Sequence, residues 1–281
     1  MAVAIQGGYG AFHQIAAIKY FNNENTPIIP CETFEGLFAV IDRGEADWAI
    51  LAIENSIAGS LLGNYVLLRE SNLKILGEQY LRIEHQLMAL PGQSIADITE
   101  VQSHPMAIRQ CRKFFAQYPH IKLVESDDTA LSAKYIADNN IRGMAAIASK
   151  LAAELYGLEI LFSGIETSKR NYTRFLILSD KNAQSDVPLG QISKASLVFA
   201  LPHESGSLAQ VLSILSYHGM NLTKVQSSPI VGREWEYMFY VDLIFDDYLR
   251  YSQAISAIRP LSRNLEIMGE YRRGDLQNGH K

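Results

Sequence analysis

A chain of 281 residues with 48% apolar and 20% charged side chains has the composition of a soluble globular protein, and at about 150 residues per domain it should form about two domains. Its net charge of -5 excludes a chain-wide footprint for nucleic acid or an anionic membrane surface. Two cysteines, Cys31 and Cys111, exclude a disulfide scaffold and a metal knuckle, so a reducing cytoplasm is the expected compartment.

The opening Met1-Ala-Val-Ala-Ile-Gln-Gly-Gly lacks the basic lead and apolar length of a secretory signal. No stretch approaches the roughly 20 apolar residues that a membrane helix needs. Without a signal, the glycosylation-like triplets at Asn171 and Asn221 read as chance.

Val3 to Gln6 is a predicted strand, and a helix carrying Phe12, Ile15 and Ala16 follows. Phe34, Leu37, Phe38 and Ile41 recur at helical spacing behind a Thr33 cap, with Gly44 as the stop. Trp48 to Ile53 is a buried strand, and Leu73 to Leu90 is extended with a break near Glu84. Strand and helix then alternate: 100–102 with 105–116, 121–125 with 128–138, and 144–148 with 150–156. Arg174 to Leu178 closes the series as a strand. This alternation predicts an α/β sheet with helices on both faces.

Residues 181–193 are polar, aperiodic and broken by Pro188 and Gly190, which predicts a linker. Beyond it come a strand at Ser196–Leu201, a helix built on Leu208, Val211, Leu212 and Leu215, and strands at Leu222–Gln226 and Trp235–Phe245. A helix at Tyr248–Leu261 and a strand at Leu265–Tyr271 complete a βαββαβ, ferredoxin-like order. The expected division is a first domain over 1–180, a second over 194–273 and a polar tail from 274 to 281, fraying from Arg272. Trp235–Phe245 is long and is expected to be an exposed strand open to pairing with another subunit.

Most catalytic signatures are absent. Gly8 and Gly10 start a dinucleotide frame that fails at His13, and the chain has no phosphate loop, no zinc-protease helix and no nucleophile elbow. Cofactor-free chemistry on a small molecule is the simplest remaining enzyme reading, with no metal expected. Small or polar residues mark several strand ends: Gly7-Gly8-Tyr9-Gly10, Asn55-Ser56, Ser103-His104-Pro105, Asp127-Asp128-Thr129 and Ser149. If helices start there, their free N–H groups and partial positive charge can gather around a small anion. Asp127 and Asp128 would repel an anion and read as caps. Pro105 suits a first helical position, with Ser103 or His104 as the cap. Ser103 and Gln110 are about two helical turns apart and can share a face if the helix begins at that cap.

Asn171-Tyr172-Thr173-Arg174-Phe175 leads from a polar loop into an apolar strand. A threonine hydroxyl can donate to a departing oxygen, and an arginine can grip a carboxylate through paired hydrogen bonds. Strand alternation puts Thr173 and Arg174 on opposite faces, which favours Thr173 for chemistry and leaves Arg174 open between substrate grip and ion pair.

At these residues the chain resembles the prephenate dehydratase family, whose members convert prephenate to phenylpyruvate. The resemblance rests on Gly7 to Phe12, Glu54 to Gly59, Ser103-His-Pro105 with Gln110-Cys111, Asp128-Thr-Ala130, Ala146 to Ser149 and Asn171 to Phe175. It implies a two-lobed catalytic domain similar to periplasmic binding proteins. It also implies Asn55, Ser103, Gln110 and Thr173 as catalytic residues, with Ser56, Thr129, Ser149, Arg174 and Phe175 contacting prephenate. The second region resembles the family's ACT regulatory domain. That likeness implies an L-phenylalanine effector held by Gly206, Ser207, Leu208, Asn221 and Leu222, in a homodimer or homotetramer.

The chain departs from the family pattern at several places. His13 stands where the family has a hydroxyl and is expected on the surface of the first helix. Met106 replaces a glutamine. Gln226-Ser-Ser-Pro229 replaces Glu-Ser-Arg-Pro and removes two charges, which predicts an altered phenylalanine response. The alternative readings are an arogenate dehydratase and a non-enzymatic amino-acid sensor. Because the first strand begins almost at once, a monofunctional chain is expected.

Overall fold

The computed structural model describes residues 2–183, 187–230, 232 and 236–275, and the chain forms two compact units. The first holds residues up to Leu61 and from Gln79 to Phe175; the second holds Leu62–Glu78 and Leu176–Asp275. The excursion at 62–78 lies inside the stretch assigned by sequence to a single first domain. Residues 184–186 of the expected linker, Trp235 and tail residues 276–281 fall outside the described residues.

In chain order the first unit opens with β1 (Val3–Gln6), α1 (Phe12–Phe21), β2 (Ile28–Cys31), α2 (Phe34–Asp42), β3 (Trp48–Asn55) and the two-residue β4 (Gly59–Ser60). Next come α3 (Leu62–Glu70) and β5 (Leu73–Arg82), which re-enters the first unit at Gln79. The first unit continues through β6 (Gln86–Ala89), β7 (Glu100–Ser103), α4 (Pro105–Phe115), β8 (Lys122–Glu125), α5 (Thr129–Asp138), β9 (Met144–Ala148), α6 (Lys150–Tyr156), β10 (Glu159–Phe162) and the start of β11 (Tyr172–Asp180).

Two sheets result. In one, β1 runs parallel to β2 and β3, and β11 lies beside β3. The other has the order β10-β6-β9-β7-β8, parallel among β9, β7 and β8 and antiparallel at β6 and β10. Alternation along its strands feeds two cores. Leu87, Ala145 and Ile147 pack with Ile108, Cys111 and Phe115 of α4. Met88, Ala146 and Ala148 pack with Ala130 and Ala133 of α5 and Ala152 of α6. Helices therefore cover both faces of this sheet, as the alternating sequence requires.

The second unit adds β12 (Lys194–Ala200), α7 (Ser207–Tyr217), β13 (Asn221–Pro229), β14 (Tyr237–Ile244), α8 (Tyr248–Ile258) and β15 (Arg263–Tyr271). Its antiparallel order β13-β14-β12-β15 is that of a ferredoxin-like βαββαβ fold. One face buries Leu197, Phe199 and Val241 against Val211, Leu215 and Ile255 of α7 and α8. On the other face Ser196 donates to Asp242 at 2.6 Å, and Tyr65 of α3 meets the Tyr240 ring at 5.0 Å.

Two expectations are corrected here. β14 has strand neighbours on both sides and is not an open strand; among the described residues β13, which alternates exposed and covered residues, pairs only with β14. Arg273 and Gly274, expected to fray, are held: their N–H groups donate to Ser193 Oγ and Glu78 Oε1. No helix among the described residues is long and apolar enough to cross a membrane.

Candidate active site

The first unit encloses a cavity of about 320 Å³. Its walls come from the ends of strands and the starts of helices: Phe12 and His13 of α1, Asn55 closing β3, Gln110 of α4, Thr129 opening α5, and Thr173 with Phe175 of β11. Three helix N-termini, those of α1, α4 and α5, thus face one space and direct partial positive charge towards it. Two of these helices are capped as the sequence suggested. His104 Nδ1 accepts from Met106 N with Pro105 next in line, and Asp128 Oδ1 accepts from Leu131 N at 2.8 Å.

Asn171, fully buried, organises the polar wall. Its Oδ1 accepts from Asn55 Nδ2 at 2.8 Å, and its own Nδ2 donates to Gln110 Oε1 at 2.8 Å. Asn55 Nδ2 also donates to Thr173 Oγ1 at 3.0 Å, while Asn55 Oδ1 accepts from the Ile57 and Ala58 N–H groups. Gln110 Oε1 can only accept, so the 2.9 Å contact to His85 fixes the proton on His85 Nε2. Burial holds His85 below its ordinary pKa and so keeps it neutral. The same logic applies at Thr173: an amide nitrogen only donates, so the threonine oxygen accepts from Asn55 and its hydroxyl hydrogen is left to donate to a ligand.

Asn55, Gln110, Thr173, Thr129 and Phe175 therefore line one space. Four sequence-predicted residues do not. Ser103 ends β7 and is fully buried; its hydroxyl donates to Ile147 O at 2.6 Å, so it neither caps α4 nor shares a helical face with Gln110. Ser149 caps α6 through Ala152 N and donates to Gly10 O at 2.6 Å, bracing the Gly7–Gly10 loop from behind. Ser56 is a surface clasp, donating to Arg170 O and accepting from Tyr172 N. Arg174 is buried but absent from the cavity wall, as β-strand alternation from Thr173 dictates. Asn55-Ser56 also opens no helix; it closes β3 in a turn leading to β4.

The sequence reading missed Asn171 and His85 and misplaced His13. His13 is buried, not on the surface, and its ring packs edge-on to Phe34 at 5.8 Å and Phe175 at 4.9 Å. Burial lowers its pKa from 6.5 to about 3. Asn171 lies within the Asn-Tyr-Thr-Arg-Phe segment, so its motif is visible in the sequence and its role is not. Asp127 and Asp128 also line the cavity, and burial raises the Asp128 pKa against the pull of the Leu131, Ala130 and Gly8 amides. No lysine or arginine lines it among the described residues.

In the second unit the predicted effector residues divide between two hollows. Ser207 and Leu208 line one of about 140 Å³ with Tyr237 and Phe239. Asn221 lines another of about 330 Å³ with Asp246 and Arg273. Gly206, at φ +88°, is the N-cap of α7, and Leu222 packs against the core.

A two-sheet α/β unit whose largely apolar cavity carries one polar wall, followed by a βαββαβ unit, matches one known class. The family model described as prephenate dehydratase matches residues 3–183, and the chain belongs to that family. It is 39% identical over 96% of its length to arogenate dehydratase 1 of Petunia hybrida, and 31% identical over 96% to the bifunctional chorismate mutase/prephenate dehydratase of Escherichia coli K12. The chain spans about two thirds of these relatives, 66% and 70% respectively. Among solved structures, a protein described as GqqA, a novel type of quorum quenching acylase, superposes at TM-score 0.88 with 32% identity, covering 97% of this chain and 98% of its own. The prephenate dehydratase of Arthrobacter aurescens, in complex with L-Phe, superposes at 0.86 with 27% identity, covering 97% and 90%.

Proposed function

We propose that the chain is a dehydratase converting prephenate to phenylpyruvate, with L-phenylalanine acting on the second unit as an ACT-type regulatory module in a homo-oligomer. The carrying observation is the buried Asn55–Asn171–Gln110 chain of amides, which leaves the Thr173 hydroxyl hydrogen unspent at the cavity wall. In this reaction the bond from the ring to its carboxylate breaks and carbon dioxide leaves. The freed electron pair enters the ring, the opposite C–OH bond breaks, and the departing hydroxide takes a proton from solvent to become water. Aromatisation supplies the driving force, so the protein needs only to orient the substrate and stabilise the leaving oxygen. Thr173 donates to that oxygen, Asn55 aligns Thr173, and the three helix N-termini offset substrate charge.

Arogenate, the amino analogue, is the second reading. The 39% identity to an arogenate dehydratase favours it, and so does the exposed Asp127 carboxylate on the cavity wall, which can pair with an ammonium group. The likeness to an acylase finds less support in the cavity. There the polar contacts of His85 and His104 go to an amide oxygen and a backbone N–H, not to a nucleophilic hydroxyl. The test is product formation by the purified chain from prephenate and from arogenate, with and without phenylalanine. Phenylpyruvate from prephenate, modulated by phenylalanine, is expected. Turnover of arogenate alone selects the second reading, and acyl-cleaving activity with neither dehydration overturns both.

A further inference from the structure

Resting on that reading, we propose that His13 is a substrate-contacting specificity residue, the hydrogen-bonding member of an aromatic corner that takes the ring carboxylate lost as carbon dioxide. His13 lines the cavity at the start of α1, and its Nε2 is buried with no hydrogen-bond partner in the protein. A buried polar nitrogen without a partner is costly to keep, and a site whose ligand completes the bond is the economical explanation. The ring is gripped edge-on by Phe34 and Phe175. Phe175 shares a face of β11 with Thr173, which assigns His13 to the ring end of the substrate.

The chemistry of that end favours a neutral partner. Decarboxylation moves negative charge off the carboxylate and into the ring. A cation beside the carboxylate would stabilise the ground state more than the transition state and slow the step. An uncharged imidazole among phenyl rings orients the carboxylate without that penalty, and in the substrate-free chain burial lowers the His13 pKa to about 3. The remaining titratable walls are His85, His104, Asp127 and Asp128, and they are common to every variant below.

Steady-state kinetics on prephenate and arogenate, with thermal melting, separates the possibilities. His13→Phe keeps a ring and removes the unpartnered buried nitrogen, so it is expected to melt no lower than the native chain while losing about 10- to 100-fold in kcat/KM. His13→Gln, with a donor and an acceptor but no titration, should recover to within a few-fold. The native kcat/KM profile should show no inflection near pH 6.5 that His13→Gln removes. His13→Phe turning over within twofold of the native chain would make His13 mere packing, and an inflection lost in His13→Gln would show that it titrates; either result overturns the inference alone. A native chain inactive on both substrates overturns the dehydratase reading, and this inference with it.

Discussion

His13 carries a pH signature that requires no substrate. Its pKa in the folded chain, about 3, lies below the ordinary 6.5. Above pH 6.5 both folded and unfolded forms are neutral and nothing is lost. As pH falls towards 3 the unfolded chain binds a proton that the folded chain refuses, so stability declines by about 1.4 kcal/mol per pH unit at most. Buried His85 pushes in the same direction. Melting temperatures of the native chain and His13→Phe, compared at pH 7.5 and pH 5, should diverge at the lower pH in favour of the variant; a gap independent of pH would contradict neutral burial. At this scale the sequence showed which segments bear chemistry more readily than which atoms do. Ser103, Ser149, Thr173 and Asn171 are all short polar residues in matched segments. Their roles depend on whether a backbone carbonyl stands in reach, as Ile147 O does for Ser103 and Gly10 O for Ser149. Side-chain spacing carries no information about such long-range partners.

Among the elements, α6 shows how a cap serves the site at one remove. Ser149 Oγ holds Ala152 N and, through Gly10 O, the loop leading to α1. Gly10 sits at φ +86°, and a Cβ there would lie 2.7 Å from Ala152 Cα, so loop and helix are in direct contact. Ser149→Ala should cost about 0.5–2 kcal/mol in urea unfolding, the usual range for a lost cap. It should also lower kcat/KM severalfold by loosening α1. A variant as stable as the native chain would show that water replaces the serine. Strong local signals made β9 and α6 legible to the residue, because an apolar run ends at a capping serine. β2 and β10 were missed because each is four residues long and offers little periodicity, with Pro30 further disguising β2. α3 was missed because Gly63 and Asn64 weaken its helical pattern, and its buried face is defined by Tyr240 rather than by its own sequence.

Across the whole molecule, the excursion at 62–78 is the feature that sequence order conceals. The chain leaves the first unit beside a cavity residue, Leu61, joins the second unit, and returns to reach Ile83 and His85 on the same cavity wall. Within the second unit Glu78 and Lys194 form a fully buried ion pair at 2.7 Å, and Gly269 of β15 packs directly on Ile75. A charged residue within a strand gives no hint of a partner more than a hundred residues away. Glu78→Ala removes the carboxylate that faces a buried ammonium and should cost about 3–5 kcal/mol, whereas Glu78→Leu with Lys194→Met should recover most of that loss. Equal denaturation midpoints for the single and double variants would show that the pair is not electrostatically coupled.

The proposed dehydration depends most on Thr173 spending its hydroxyl hydrogen on the substrate while Asn55 holds its oxygen. Initial rates of phenylpyruvate release from prephenate, measured side by side for the native chain, Thr173→Ser and Thr173→Ala, address this directly. An active native chain, a serine variant within about tenfold of it, and an alanine variant slower by on the order of 10²- to 10³-fold are expected for loss of one transition-state donor. An alanine variant that keeps near-native turnover would contradict the account.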